Sequence, residues 1–411
     1  MPLSENVSET ALFGRRGFLR GAVGASLGAT ALMASPEIAR AAGRDNLIKG
    51  VFDVARFGAR GDGVRDDAPA IQAAITAASQ QGGIVWLAPG KYRLGAGLVI
   101  PAQIILSGAG WDGAKNGSIL YIDDAGVTAV TIKGNGTTIR ELAIYHEQPK
   151  PGPGWQPVPY PPAILVRADD SRLENLMLHN PTVGIVSQGV GRMTVNRIWG
   201  QPLLTGISVD QAYDVVKMDN LHLWPFWSID ENVGGFMRHN AVAIASLRND
   251  NPHFSNIFAI GYKTGFHFGS SQYGITSKFR IVNADTDVST AGIVIDGNGT
   301  TGQVSNYTFQ GLDSPEHGEA GLQVLADDAT LFGSNVRLTG MGASAVRVAG
   351  KNSIAILDGL WIQGWDQLGT GAPALEAATP ESSVNVGFGR LFTGSQSPHA
   401  GGSGKVALSG Q

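Results

Sequence analysis

Five side chains in the middle of the chain are of the types that move protons: Asp210, Asp230, Glu231, His239 and His267. A carboxyl or an imidazole can give or take a proton near neutral pH, and two that converge on one bond can work as acid and base. Three of the five fall in a single stretch, 224–240 (WPFWSIDENVGGFMRHN), beside Arg238 and the indoles of Trp224 and Trp227. Indoles offer flat apolar faces with a polar edge. With Arg167 and Asp296 they complete a candidate binding set of Trp224, Trp227, Arg167, Arg238 and Asp296. Structural roles stand beside these. Asp230 and Glu231 read equally as solvated loop charge, and the two indoles as packing for the loop itself. Cysteine is absent, which removes disulfides, thiolate metal sites and thiol nucleophiles. No metal-ligating set is identified. The net charge of −4 gives no reason to expect nucleic acid or an anionic membrane as a partner.

These residues need a scaffold, and the chain repeats one. A small residue followed by an apolar–any–apolar triplet, or a near match, starts at Ala129, Ala163, Gly184, Gly206, Ala241, Gly265, Gly292, Gly321 and Ala345. Six of the eight intervals between them run from 21 to 29 residues, the rhythm of an irregular solenoid. Two intervals are long, 34 residues from Ala129 to Ala163 and 35 from Gly206 to Ala241. A second motif places Asn between two short strands, at Asn175, Asn196, Asn220, Asn256, Asn306 and Asn335. The coil containing Phe279 lacks it. Strand alternation turns Ile207 and Val209 inward and leaves Asp210 outward, and the same phase exposes Arg167, Gln188, His267, Asp296, Gln323 and Arg347.

Ahead of the repeats, residues 51–63 read VFDVARFGARGDG. Asp66-Asp67 and Pro69 then open a helix with apolar residues at Ile71, Ala74, Ile75 and Ala78, and Gly82-Gly83 closes it. A strand, IVWLAP, leads to Pro89-Gly90-Lys91-Tyr92. This block resembles the N-terminal segment of the pectate-lyase-like superfamily, of the rhamnogalacturonase/epimerase kind. The resemblance implies an all-β chain, a single-stranded right-handed parallel β-helix of three sheets with an N-terminal capping helix. It also implies an Asn ladder at the turn between the second and third sheets, broken at the Phe279 coil. Asp66 and Asp67 are expected to be cap and turn, and Asp169-Asp170 and Asp327-Asp328 to be structural.

The two long intervals hold insertions, 146–162 and 224–240, on one side of the solenoid. About 15 Å of first sheet is expected to run between them. The resemblance places a substrate groove over that sheet and implies an enzyme active on polysaccharide. Hydrolysis needs two carboxyls, for which Asp210 with Asp230 or Glu231 are the candidates, and is slightly favoured. A lyase or epimerase acting on uronates needs a base and positive charge, for which Arg238, His239 or His267 are the candidates, with Ca²⁺ as a cofactor only in the lyase case. A non-catalytic glycan-binding protein is the third reading. The sequence departs from the polygalacturonase pattern, since its Asn-Thr-Asp, Asp-Asp, Gly-His-Gly and Arg-Ile-Lys motifs do not occur as a set. His317-Gly318 is half a match.

The N-terminus reads as an address. Residues 14–20 (GRRGFLR) precede an uncharged run from Gly21 to Ser35 and then Ala39-Arg40-Ala41. This resembles a twin-arginine export signal with cleavage near Ala41 or Ala42. A periplasmic or secreted domain over 46–394 is expected, without membrane contact once the signal is gone. A tail, 395–411, is expected to be loose or a final half-coil.

Overall fold

A computed structural model describes residues 49–312, 315–392 and 397–409. The expected export signal lies outside them. The chain winds as a right-handed parallel β-helix. Twelve first strands, from Leu98–Ile100 to Ala400–Gly402, form one parallel sheet. The other strands of each coil form a second, eighteen-stranded sheet. All nine expected repeat starts lie at first-sheet strands, and further strands extend the sheet at both ends.

Apolar alternation produces the stack. Val130, Ile164, Ile185, Ile207, Ile244, Phe266, Ile293, Leu322, Val346 and Leu375 pair rung upon rung, all buried. Burying each such side chain contributes about 1.5–3 kcal/mol. Phe268 and Phe279 stack face to face inside the core, with ring centroids 3.8 Å apart. The edge strand Leu98–Ile100 is capped by a side chain. Gln72 of the helix Ala68–Ser79 donates to Val99 O (2.9 Å) and accepts from Val99 N (2.8 Å), as the next strand would. Asp67 holds the preceding turn by accepting from Arg60 N and Gly61 N, and Asp66 accepts from Ala68 N and Gly95 N. Both are structural, as expected.

The ladder exists, but it breaks elsewhere. The bend between the second and third strands is one residue in the left-handed region: Asn175, Arg197, Asn220, Asn256, Asn283, Asn306 and Asn335 all have φ between 51° and 57°. Asn tolerates this conformation better than other side chains with a Cβ. Asn283 fills the coil of Phe279, and amides run from Asn335 to Asn306 (2.8 Å), Asn306 to Asn283 (2.9 Å) and Asn283 to Asn256 (3.3 Å). The chain of amides ends at Asn256, whose Nδ2 donates to Asp219 Oδ1 (2.8 Å), and the column of left-handed Asn residues is interrupted at Arg197, because Asn196 lies one residue early, paired with Glu174 and Asp219. The C-terminal stretch adds a rung, with Ala400–Gly402 on Leu375–Ala377 and Lys405–Leu408 on Ser383–Val386.

Substituting Arg197→Asn should raise stability by about 0.5–1 kcal/mol by relieving left-handed strain and offering an amide to the stack. Asn306→Ala should cost about 1–2 kcal/mol through the same strain and two lost amide bonds. Urea unfolding checks both, and a destabilised Arg197→Asn would show that the bend does not govern stability there.

Candidate functional site on the first sheet

The long insertion at 224–240 contains a helix, Glu231–Asn240, that the Gly234-Gly235 pair hides in the sequence. Asp230 is its N-cap, accepting from Asn232 N at 2.9 Å. Glu231 stands in the first turn and Arg238 and His239 in the last, the arrangement that suits the helix dipole. Glu231 and Arg238 form an ion pair. Asp230 and Glu231 are therefore committed to this helix. Val233 and Met237 bury its inner face. Arg238 O accepts from Thr290 Oγ1 (2.9 Å) and Met237 O from Lys263 N (3.1 Å), so later coils grip the helix.

The two insertions do not stand apart with sheet between them. Trp155 of the first packs on Trp227 of the second, with centroids 5.8 Å apart, and meets Phe236 edge-on at 5.7 Å. Leu203, Leu223 and Tyr262 complete this second apolar cluster. Trp227 serves as packing here, and the insertions make one continuous wall. Trp224 turns to the third sheet. It stacks near His222 and Phe258, and His222 also meets Phe226. That aromatic strip continues to Trp199, which lies 5.3 Å from Trp111. Neither indole joins the first-sheet floor.

Down that floor the outward residues run in register: Leu165, Val186, Ser208, Ala245, His267, Val294, Gln323, Arg347 and Glu376. His267 and Asp296 meet there. His267 Nε2 lies 2.9 Å from Asp296 Oδ2, and both side chains are partly exposed. Asp296 begins one residue beyond the strand Ala291–Ile295, which carries its carboxylate across to the neighbouring rung. A Cβ on Gly269 would lie 3.0 Å from the His267 ring and 3.2 Å from Asp296 Oδ1, so glycine leaves the pair its room. With Nε2–H donated to the carboxylate, Nδ1 keeps its lone pair. The carboxylate thereby fixes the orientation of the ring on the sheet face.

The strands' two ends border the floor. At their starts stand the helix Glu231–Asn240 and the segment 315–321; Glu319 of that segment accepts from Gln323 Nε2 at 3.0 Å. At their ends lies the hairpin Ser270–Ser271/Gly274–Ser277. A five-residue strand such as Thr264–Phe268 spans about 16 Å between these borders. Asp210 is occupied at the hairpin border, where its Oδ1 accepts from Ser271 Oγ (2.7 Å), Gln211 N (2.7 Å) and Arg248 N (3.1 Å). Arg167 is exposed several rungs below the dyad. Arg347, three rungs above His267, lies 3.5 Å from Glu376.

His239 lies off the floor, beside Glu316 and His317. Sequence reasoning missed Glu316, for which only the His317-Gly318 half-motif was a signal. It also missed Ser271 and Arg248, whose roles depend on the hairpin. Among the described residues no cluster of three or more carboxylates converges as a Ca²⁺ site would require. Asp169 and Asp170, with Asp214, are bound by Arg192.

Residues 51–147 match the family described as rhamnogalacturonase A/epimerase, pectate lyase-like. Alginate lyase 7 of Azotobacter vinelandii is 37% identical over 108 residues, which is 20% of this chain and 13% of that protein. Mannuronan C5-epimerase AlgE6 of the same organism is 48% identical over 67 residues, 14% of this chain and 8% of that protein. The chain thus spans only a small part of the length of these curated relatives. The A-module of the A. vinelandii mannuronan C-5 epimerase AlgE4 superposes with a TM-score of 0.56 at 16% identity, covering 87% of this chain and 98% of that one. The catalytic unit of a GH87 α-1,3-glucanase from Streptomyces thermodiastaticus gives 0.52 at 15% identity, covering 88% and 68%. The fold is that of the pectate-lyase-like right-handed β-helices, and the segment 51–147 carries that superfamily's sequence pattern.

His146, at the root of the first insertion, is fully buried against Tyr160, and neither ring nitrogen has a partner. Burial pushes its pKa down to about 4. The unfolded chain holds this group near 6.5. The folded state therefore binds the proton less well, and the stability it contributes is complete above pH 6.5 and is lost as pH falls through 4. Between pH 7 and pH 4 the chain should lose about 3 kcal/mol more than a His146→Leu variant. Denaturant melts at the two pH values measure this difference, and equal losses would place the imidazole in contact with water.

Proposed function

We propose that this chain is a polysaccharide-active enzyme that works on uronate-containing glycans by abstracting the proton α to the carboxylate, as a lyase or an epimerase. The observation that carries this reading is the His267–Asp296 contact at 2.9 Å on an open parallel-sheet face. Asp296 orients the imidazole and steadies the imidazolium that forms, while Nδ1 takes the proton. Loss of the O4 leaving group with its bonding pair then gives an unsaturated sugar. Return of a proton to the opposite face instead gives the epimer. The similar curated proteins, an alginate lyase and a mannuronan epimerase, are named for uronate polymers and support the same class.

Paired-carboxyl hydrolysis fits less well. Retaining and inverting pairs stand roughly 5–9.5 Å apart. Asp210 and Asp296 are separated by three rungs, about 14 Å. Asp230 and Glu231, the expected partners of Asp210, are the cap and the first turn of the wall helix. Glycan binding without catalysis has one observation of its own, the partly exposed aromatic strip around Trp224 and Phe226.

Incubation with polymannuronate, alginate and pectate should yield either absorbance from unsaturated uronate or C5 inversion seen by NMR. His267→Gln and Asp296→Asn should each lower kcat about 100-fold or more with the fold intact. New reducing ends without unsaturation or inversion would overturn the chemistry. Binding without any product would leave the aromatic strip as the functional surface.

A further inference from the structure

The end of the wall helix holds a group of side chains that proton abstraction on the floor does not use. One ligand atom from each of His239, Glu316 and His317 lies within 4.8 Å of the other two. His239 Nε2 is 2.9 Å from Glu316 Oε2. The two imidazoles meet edge to face with centroids 4.8 Å apart. His239 Nδ1 lies 2.6 Å from Gly235 O, one turn back in its own helix, which makes Nδ1 the donor. Nε2 is then a lone pair aimed at a carboxylate oxygen, an arrangement that is repulsive unless a proton or a cation intervenes. A proton on His239 would satisfy Glu316 alone. It would leave His317, whose Nε2 is buried without a hydrogen-bond partner.

We propose that His239, Glu316 and His317 bind a divalent transition metal ion, with Zn²⁺ the best match, and that the ion clamps the wall helix to the segment 315–321. Two imidazoles and a carboxylate are a borderline N/O donor set suited to Zn²⁺, and a water completes the tetrahedron. The Gly235 carbonyl supplies the outer hydrogen bond that fixes the tautomer of a metal-bound imidazole. The carbonyl end of the helix Glu231–Asn240 adds a partial negative charge beside the ion. Bonds of about 2.0–2.1 Å require the three donors to draw inward from their present spacing, which side-chain rotation of the exposed His239 and Glu316 allows. The backbone beneath is already close-fitted, since a Cβ on Gly342 would lie 2.1 Å from His317 O. The site stands apart from the His267–Asp296 chemistry, so it holds or fails independently of the activity.

The test uses the chain without an affinity tag, stripped with a chelator and titrated with ZnCl₂ by calorimetry and by thermal melting. One zinc per chain and a higher Tm are expected. His317→Gln and Glu316→Gln should each weaken binding at least tenfold and abolish the rise in Tm, while His253→Gln, a histidine elsewhere, should change neither. Circular dichroism of each variant establishes that it is folded. Zinc bound no more tightly by the chain than by His317→Gln would overturn the proposal, as would an equal rise in Tm with CaCl₂.

Discussion

Each strand of the solenoid hydrogen-bonds to the strand one coil before it and one coil after, in register and in parallel. A slip of one residue would turn a whole rung inside out, sending Ile207 and Val209 to solvent and Ser208 to the core. The buried column from Val130 to Leu375 therefore fixes the outward column as rigidly as the inward one. His267 faces out because Phe266 and Phe268 cannot, and Asp296 reaches it from the next rung. The floor inherits its spacing from the hydrogen bonds, about 4.8 Å per coil. That spacing separates Asp210 from Asp296 too widely for paired-carboxyl chemistry and puts an imidazole and a carboxylate from adjacent coils in contact.

A solenoid of this kind must manage its open ends and its corners. Gln72 meets the first need with one amide that pairs with Val99 as a strand would. Left-handed Asn residues meet the second, stacking amide upon amide along one corner. Insertions escape the register, so they are where this scaffold can vary. Here the two longest fold onto each other through Trp155, Trp227 and Phe236, and the resulting wall carries a helix whose far end approaches the segment 315–321. The charged residues most conspicuous in the sequence, Asp230, Glu231 and Arg238, are spent on building that wall.

The rung pattern, the cap and the outward phase were all legible in the sequence, because each follows from local rules. Alternation has period two, a left-handed bend favours Asn, and the cap block is a contiguous stretch of chain. Local rules failed where two of them competed. Asn196 had the right residue type in the wrong phase, and Asn283 is followed by Ala284-Asp285-Thr286 rather than by the large apolar residues that mark the next strand in the other coils. The helix Glu231–Asn240 was read as a loop because its two glycines lower helix propensity, although Asp230 in the cap position and Val233 and Met237 four residues apart carry the signal.

By itself the sequence determined a stacked parallel scaffold and which side chains it would present. The tertiary structure alone decided which of those side chains meet. His267 and Asp296 are 29 residues apart in the chain, and Asp210 and Ser271 are 61 apart. Such contacts depend on how many residues each coil spends before it returns, and on which insertions pack together, and neither is written in any one segment. A side chain's facing is set by its neighbours in sequence, whereas its partner is set by the rung above or below.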